Sequence, residues 1–287
     1  MNAPQNGSQK PAASKMSDLP ARVASGVVMI ALALAALWWG GQPFVLFWLA
    51  AAIAIIWEWL RMTGAEGNRP AFAAGAAGVA AAAALAAQGL DHFAVIPLAA
   101  GALAVAFFTR DGKPLWCAAG VFYAGLFMIA LIGFRLSLLY GVQAVLWLFA
   151  VVWGTDILAY FGGRTIGGPK LWPRISPSKT WSGFLTGVTG GALAGVCVAY
   201  ASMPAGRVSM LALFIMGLAV AAFSQAGDFF ESAMKRKAGV KDSSQLIPGH
   251  GGVMDRLDGF NFACVLAGLI AWIKGGPLQS ASALLLW

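Results

Sequence analysis

The sequence predicts an all-α protein, a polytopic integral membrane helical bundle with eight to nine transmembrane helices. Three observations lead there. Hydrophobic residues make up 60% of the 287 residues and charged residues 10%, with a mean hydropathy of +0.76. A soluble domain carries roughly 45–50% apolar and about 25% charged residues. Apolar stretches close to the ~20 residues that cross a bilayer recur along the whole chain, and the strand-type alternation of outer-membrane barrels is absent, so the spans are helices that satisfy their own backbone hydrogen bonds.

Residues 1–22 open with "MNAPQNGSQKPAASKMSDLP", polar and rich in Pro, Ser and Gln, which predicts a disordered cytoplasmic tail. The apolar run after Arg22 is followed by many more, so it reads as an uncleaved first span and not a signal peptide. Spans are expected at about 23–39, 43–60, 71–88, 92–108, 116–133, 143–161, 183–202, 209–227 and 259–273, while 277–287 is too short to cross. Residues 23–150 thus form an N-terminal set of helices. Residues 151–287 form a second region with two sizeable loops, 162–182 and 228–258. The Ala/Gly-rich "GAAGVAAAAALAAQG" at 75–89 suits close helix packing in lipid. Glu58, in "WEWLR", is expected to pair with Arg61 or a neighbour at the interface, and His92 to sit at a span edge on the outer face. Cys117, Cys197 and Cys264 lie far apart without CxxC spacing and read as small core residues.

Charge sets the orientation. With nine spans and the N-terminus inside, the cytoplasmic segments hold 16 of the 19 Lys and Arg residues, and the opposite side holds only Arg135, Arg207 and Lys274. The net charge of +8 then reflects loops facing anionic headgroups, with no nucleic-acid partner implied. Both large loops fall on the cytoplasmic face. The expected location is a bacterial-type cytoplasmic (inner) membrane, with the active site open to the cytoplasm.

Three patches in the second half carry chemistry. In "TDILAYFGGRTIGG" (155–168), Asp156, Tyr160 and Arg164 recur at four-residue spacing and can share one helix face as a span leaves the bilayer. An acid at that depth is a functional candidate, though an Asp156–Arg164 structural pair through Tyr160 explains it equally well. In "PRISPSKTWSG" (173–183), Ser176, Lys179 and Thr180 precede a helix N-terminus, a ready anion site and also ordinary capping material. The third patch is "SAMKRKAGVKDSSQLIPGHGGVMDRLDG" (232–259) with its approach. Asp228 and Glu231 end one span, and Asp255 and Asp258 start the next. Carboxylates gathered this way suit Mg²⁺ held by one or two acids plus phosphates. Lys235, Arg236, Lys237, Lys241 and Arg256 suit phosphate groups, and "PGHGG" lets backbone approach a ligand closely. A positive-inside stop signal would explain the lysines but not the four acids.

The run Ser232, Met234, Lys235, Arg236, Lys241, Asp242, Ser244, Ile247, Pro248, His250, Gly251, Gly252, Val253, Asp255, Arg256, Leu257 and Asp258 resembles the signature of phosphatidate cytidylyltransferases at every fixed position. "DILAYFGGRTIG" and "SPSKTW" resemble the same family in the expected order, so the likeness covers roughly 150–262. One departure is Ser182, where the family often has Glu. The resemblance implies that CTP and phosphatidic acid give CDP-diacylglycerol and pyrophosphate, with Mg²⁺ and room for a second cation, in a homodimer among membrane lipids. It implies Asp228 and Asp255 as metal ligands, with Glu231 and Asp258 orienting basic side chains. Asp228, Asp255, Lys179 and Arg256 are then the catalytic candidates. Asp156, Tyr160, Arg164, Ser176, Lys179, Thr180, Lys235, Arg236, Lys241, Asp242, His250, Gly251, Gly252 and Asp258 are the substrate-binding ones. The rival readings are a CTP-dependent lipid or polyprenol kinase and a transporter using Asp156. Acids clustered at one face, without visible inverted repeats, argue against the transporter.

Overall fold

The computed structural model describes residues 19–204, 206–275 and 280–287, so the tail expected at 1–18 lies outside the described residues, and of 19–22 only the helical backbone is described. The helices are α1 (Leu19–Trp39), α2 (Gly41–Thr63), α3 (Arg69–Ala87), α4 (Val95–Phe108), α5 (Pro114–Leu136), α6 (Gly141–Thr165), α7 (Trp181–Ser202), α8 (Met210–Ala238), α9 (Met254–Gly275) and the short α10 (Ser280–Leu285). A 3₁₀ turn, Asp91–Phe93, leads into α4. Eight of these segments are long and apolar enough to cross a bilayer, and α1 adds a shorter apolar run, Val23–Trp39. Each expected span has its helix. At 29 residues, α8 extends about 43 Å, well beyond a hydrocarbon core of about 30 Å. Its last turns, carrying Asp228 to Ala238, can therefore stand clear of that core.

One element departs from the all-helical expectation. Within the first large loop, β1 (Lys170–Trp172) and β2 (Ser176–Thr180) pair antiparallel, with Lys170 opposite Thr180 and Trp172 opposite Ser176. The Thr180 side chain then accepts from the Gly183 amide at 3.1 Å and caps α7. At the far end, α8 stops at Gly239, whose φ of 72° lets its amide reach back to the Arg236 and Lys235 carbonyls.

The tightest helix pair is α6 with α7, and glycine explains it. Gly183, Gly187, Gly191 and Gly195 recur every four residues along one ridge of α7. A Cβ at Gly187 would stand 2.7 Å from the Thr155 carbonyl, and one at Gly191 2.5 Å from that of Val151. Only hydrogen at these positions lets the two backbones meet. The spacing is legible in the sequence, unlike its partner. The centre is filled by aromatics: Trp48 stacks on Phe260 at 5.6 Å and meets Phe127 edge-on at 6.0 Å. Nearer the loops, Trp59, Tyr123 and Phe230 form a second stack. Cys117 and Cys264 are buried as expected, but Cys197 faces outward, and all three are free thiols.

Candidate active site

The α6–α7 contact fixes the first half of the site. It sets the end of α6, with Asp156, Tyr160 and Arg164, against the hairpin that carries Lys179. Arg164 donates to the Tyr160 hydroxyl at 2.6 Å. Asp156 accepts instead from Gln225 at 3.4 Å. The three side chains therefore do not form the structural Asp156–Arg164 pair that the spacing allowed.

From α8, Asp228 forms an ion pair with Lys179. The same ammonium donates to Gln225 Oε1 at 3.0 Å and lies 4.8 Å over the Phe229 ring. Arg236, near the end of α8, donates to the Ile175 carbonyl. Both large loops therefore sit at one end of the bundle, joined by direct bonds. Gly227 permits a close approach of α9, since a Cβ there would run into the Asp258 backbone. Across this contact Asp228 reaches the start of α9: a Cβ on Gly259, next to Asp258, would stand 2.6 Å from its Oδ1.

Lys235 bridges Glu231 and Asp255, at 2.6 Å to each. Asp255 Oδ2 accepts three further bonds, all at 2.8 Å, from the Ser243 amide and hydroxyl and the Gly252 amide. Asp255, expected as a metal ligand, thus has both oxygens committed within the protein, and it holds Lys235 and the loop in place. Glu231 differs: one oxygen is taken by Lys235, while the other, Oε1, is buried without a hydrogen-bond partner.

The glycine-rich turn is built by its own backbone. Gly249 and Gly251 have φ of 74° and 82°, and the Ile247 amide donates to the Gly251 carbonyl at 2.8 Å. A Cβ on Gly252 would overlap Ser243 and Glu58. The space these glycines leave is thus used at Gly252 by the protein's own carboxylate, where the sequence suggested a ligand. His250 Nδ1 and the Ser25 hydroxyl of α1 are hydrogen-bonded at 2.6 Å, and Arg256 donates to the His250 carbonyl at 3.1 Å.

Glu58 overturns its expected role. Arg61 pairs with Glu66 at 3.1 Å. Glu58 is fully buried and accepts four hydrogen bonds from the loop and the start of α9: Ser244 Oγ at 2.6 Å, Met254 N at 2.7 Å, Val253 N at 2.8 Å and Ser243 Oγ at 3.1 Å. Its only sequence signal was a lone acid near the end of an apolar span.

Two cavities meet at Asp156. One, of about 510 Å³, is bordered by Tyr160, Arg164, Lys179, Gln225 and Asp228. The other, of about 560 Å³, has Arg256, Asp258 and His250 at its polar end, and its body is apolar, with Met29 and Ile30 of α1, Ala51 of α2 and Trp153 of α6 among its walls. The remaining candidates stand apart or serve the frame. Ser176 lies in the strand register, while Ser178 borders the first cavity. Thr180 is the buried cap of α7 and also borders the first cavity, Lys241 is exposed, and Asp242 borders a separate depression beside Arg61 and Glu66. Ser182, at the family's Glu position, donates to the Gly167 carbonyl and ties the first turn of α7 to the chain just past α6.

Residues 20–273 match the profile of the cytidylyltransferase family. A phosphatidate cytidylyltransferase of Brucella abortus biovar 1 (strain 9-941) is 38% identical over 266 residues, which cover 91% of this chain and 96% of that one. The same named protein of Brucella melitensis biotype 1 is 39% identical over 269 residues, with the same coverage. That of Haemophilus influenzae is 40% identical over 144 residues, half of each chain.

Proposed function

The chain belongs to the cytidylyltransferase family, and from that premise we propose how its site makes CDP-diacylglycerol from CTP and phosphatidic acid, a step of phospholipid biosynthesis. One observation carries the reading: Asp156 forms a shared wall between a cavity ringed by charged side chains, Arg164, Lys179 and Asp228, and a more apolar one. A reaction between a nucleotide and a lipid needs such a junction. CTP fits the polar side, where Lys179 and Arg164 face its phosphates. Phosphatidate fits the apolar side, with its acyl chains between α1, α2 and α6 and its phosphate towards Arg256.

The chemistry asks little of a base. A phosphatidate phosphate oxygen, already anionic, attacks the α-phosphorus of CTP in line. The bond to the β-phosphate bridging oxygen breaks, and pyrophosphate leaves with that electron pair. Catalysis is then positioning and charge neutralisation. Lys179 is anchored by Asp228 and Gln225 and can meet charge that builds on the phosphates without searching for its place. Arg256 is braced by the His250 carbonyl at the mouth of the other cavity.

Mg²⁺ is part of this proposal. Among the described residues, no three His, Cys, Asp or Glu side chains converge to cage a metal, which suits an ion held by one or two carboxylates and substrate phosphates. The donor set fits: Glu231 Oε1 is buried without a hydrogen-bond partner, and Asp228 Oδ1 lies against the start of α9, where a Cβ on Gly259, next to Asp258, would stand 2.6 Å from it. We assign the metal to Asp228 and Asp258, with Glu231 behind them, in preference to the committed Asp255. When bound, the ion would polarise the α-phosphate and offset charge on the departing pyrophosphate. A cytoplasmic-facing site in an inner membrane and a homodimer belong to the same proposal; the charge bias supports the orientation, and the family resemblance supports the dimer.

The test is the purified protein in mixed micelles with phosphatidate and CTP labelled in its phosphates. CDP-diacylglycerol and pyrophosphate in equal amounts, dependent on Mg²⁺, support the reading. Release of CDP with a phosphorylated lipid would assign a kinase instead.

A further inference from the structure

We propose that Glu58 is a positioning residue for cytidylyl transfer, fixing the first turn of α9 and thereby the placement of Arg256 and Asp258. It comes from α2, outside the stretch that carries the signature. The inference rests on the reading of 228–258 as the catalytic loop.

The geometry is that of a carboxylate built into a socket. Glu58 is 0% exposed, and both oxygens are used. Val253 and Met254 supply amides from the opening of α9, where helix N–H groups have no acceptor of their own. A negative charge there is favoured by the helix dipole, and bonds to a charged acceptor are roughly twice as strong as neutral ones. All four donors are neutral, and Arg61, one turn away, is engaged by Glu66. The carboxylate is therefore solvated by the loop itself, and losing the loop would leave a buried charge bare.

Ser243 extends the tie. Its hydroxyl lies 3.1 Å from Glu58 Oε2 and 2.8 Å from Asp255 Oδ2. One proton serves two carboxylates, so moving Glu58 changes what Asp255 receives. Asp255 in turn holds Lys235. The absent Cβ at Gly252 makes room for this contact. Mere stability does not require the socket to grip the turn that bears Arg256 and Asp258.

The test compares Glu58→Gln and Ser244→Ala with the wild-type protein in the same micelles. Three readouts are taken: kcat and KM for each substrate per folded molecule, the Mg²⁺ concentration for half-maximal rate, and amide exchange at Val253 and Met254. Glu58→Gln keeps the shape but turns an NH₂ towards two donors. It should lower kcat about 10–100-fold, leave KM for CTP nearly unchanged, raise the Mg²⁺ requirement and speed exchange at 253–254 while the later turns of α9 stay protected. Ser244→Ala, which removes one neutral donor, should do the same to a lesser degree. Wild-type kcat and Mg²⁺ dependence in folded Glu58→Gln would overturn the proposal. If Glu58→Gln does not fold, Ser244→Ala decides: unchanged kcat refutes, and a loss with faster exchange at 253–254 supports. A wild-type protein that fails to turn over CTP and phosphatidate would sink the functional reading instead, and 253–254 exchange in the variants would still decide whether Glu58 grips the turn.

Discussion

Replacing Lys179 by Met keeps the length and apolar stem of the side chain and removes only the ammonium. Two losses follow, and they separate. The first is stability. Lys179 and Asp228 are 24% and 19% exposed as side chains. Breaking a buried pair by removing one partner costs about 3–5 kcal/mol; with this much solvent access the lower end applies. The contact with Gln225 and the position over Phe229 go as well. The second loss is catalytic. A preorganised donor aimed at developing charge is worth about 10²–10³ in kcat, or roughly 2.7–4 kcal/mol. Adding Asp228→Asn to Lys179→Met removes the stranded charge, so the double variant should regain much of the stability and none of the activity. Lys237→Met is the control, because Lys237 is exposed and lies 4.1 Å over the Trp116 ring, away from both cavities. The assays are thermal unfolding in detergent and steady-state kinetics with CTP and phosphatidate. If Lys179→Met kept kcat within about fivefold of wild type, the size of a lost surface attraction, the placement of Lys179 at the transferring phosphates would be wrong.

Asp228→Asn and Asp258→Asn should each abolish turnover in folded protein, whereas Asp255→Asn should lower thermal stability together with activity because it frees Lys235 and the loop; near-normal activity of either of the first two at limiting Mg²⁺ would disprove the ligand assignment. Ala51→Phe narrows the apolar cavity, so KM should rise for phosphatidate and not for CTP, and equal changes in both would detach that cavity from the lipid. Cysteines placed at Lys170 and Lys241, in a protein freed of its own three, should label from the cytoplasmic side and one at Arg207 from the other, with the reverse pattern overturning the orientation.

The sequence by itself determined the membrane class, a bundle of eight to nine apolar spans, the two large loops and the signature between Ser232 and Asp258. These are local properties. A span is a run of apolar residues long enough for a bilayer, and a signature is a fixed string, so both can be read without knowing what touches what. The Ala/Gly-rich run at 75–89 was likewise legible as a packing face, whereas the α7 glycines gained their meaning only from the Thr155 and Ala159 backbone they meet. Only the tertiary structure decided how the acids divide their work. Asp228 and Asp255 look alike in the chain. One meets Lys179 from the hairpin, while the other is closed off by Ser243, Gly252 and Lys235. Glu58 is the clearest case: 185 residues separate it from Ser243 and 196 from Met254. A buried carboxylate's role depends on which donors the fold brings within about 3 Å of its oxygens, and pairings over such separations arise from helix packing, which no local pattern encodes.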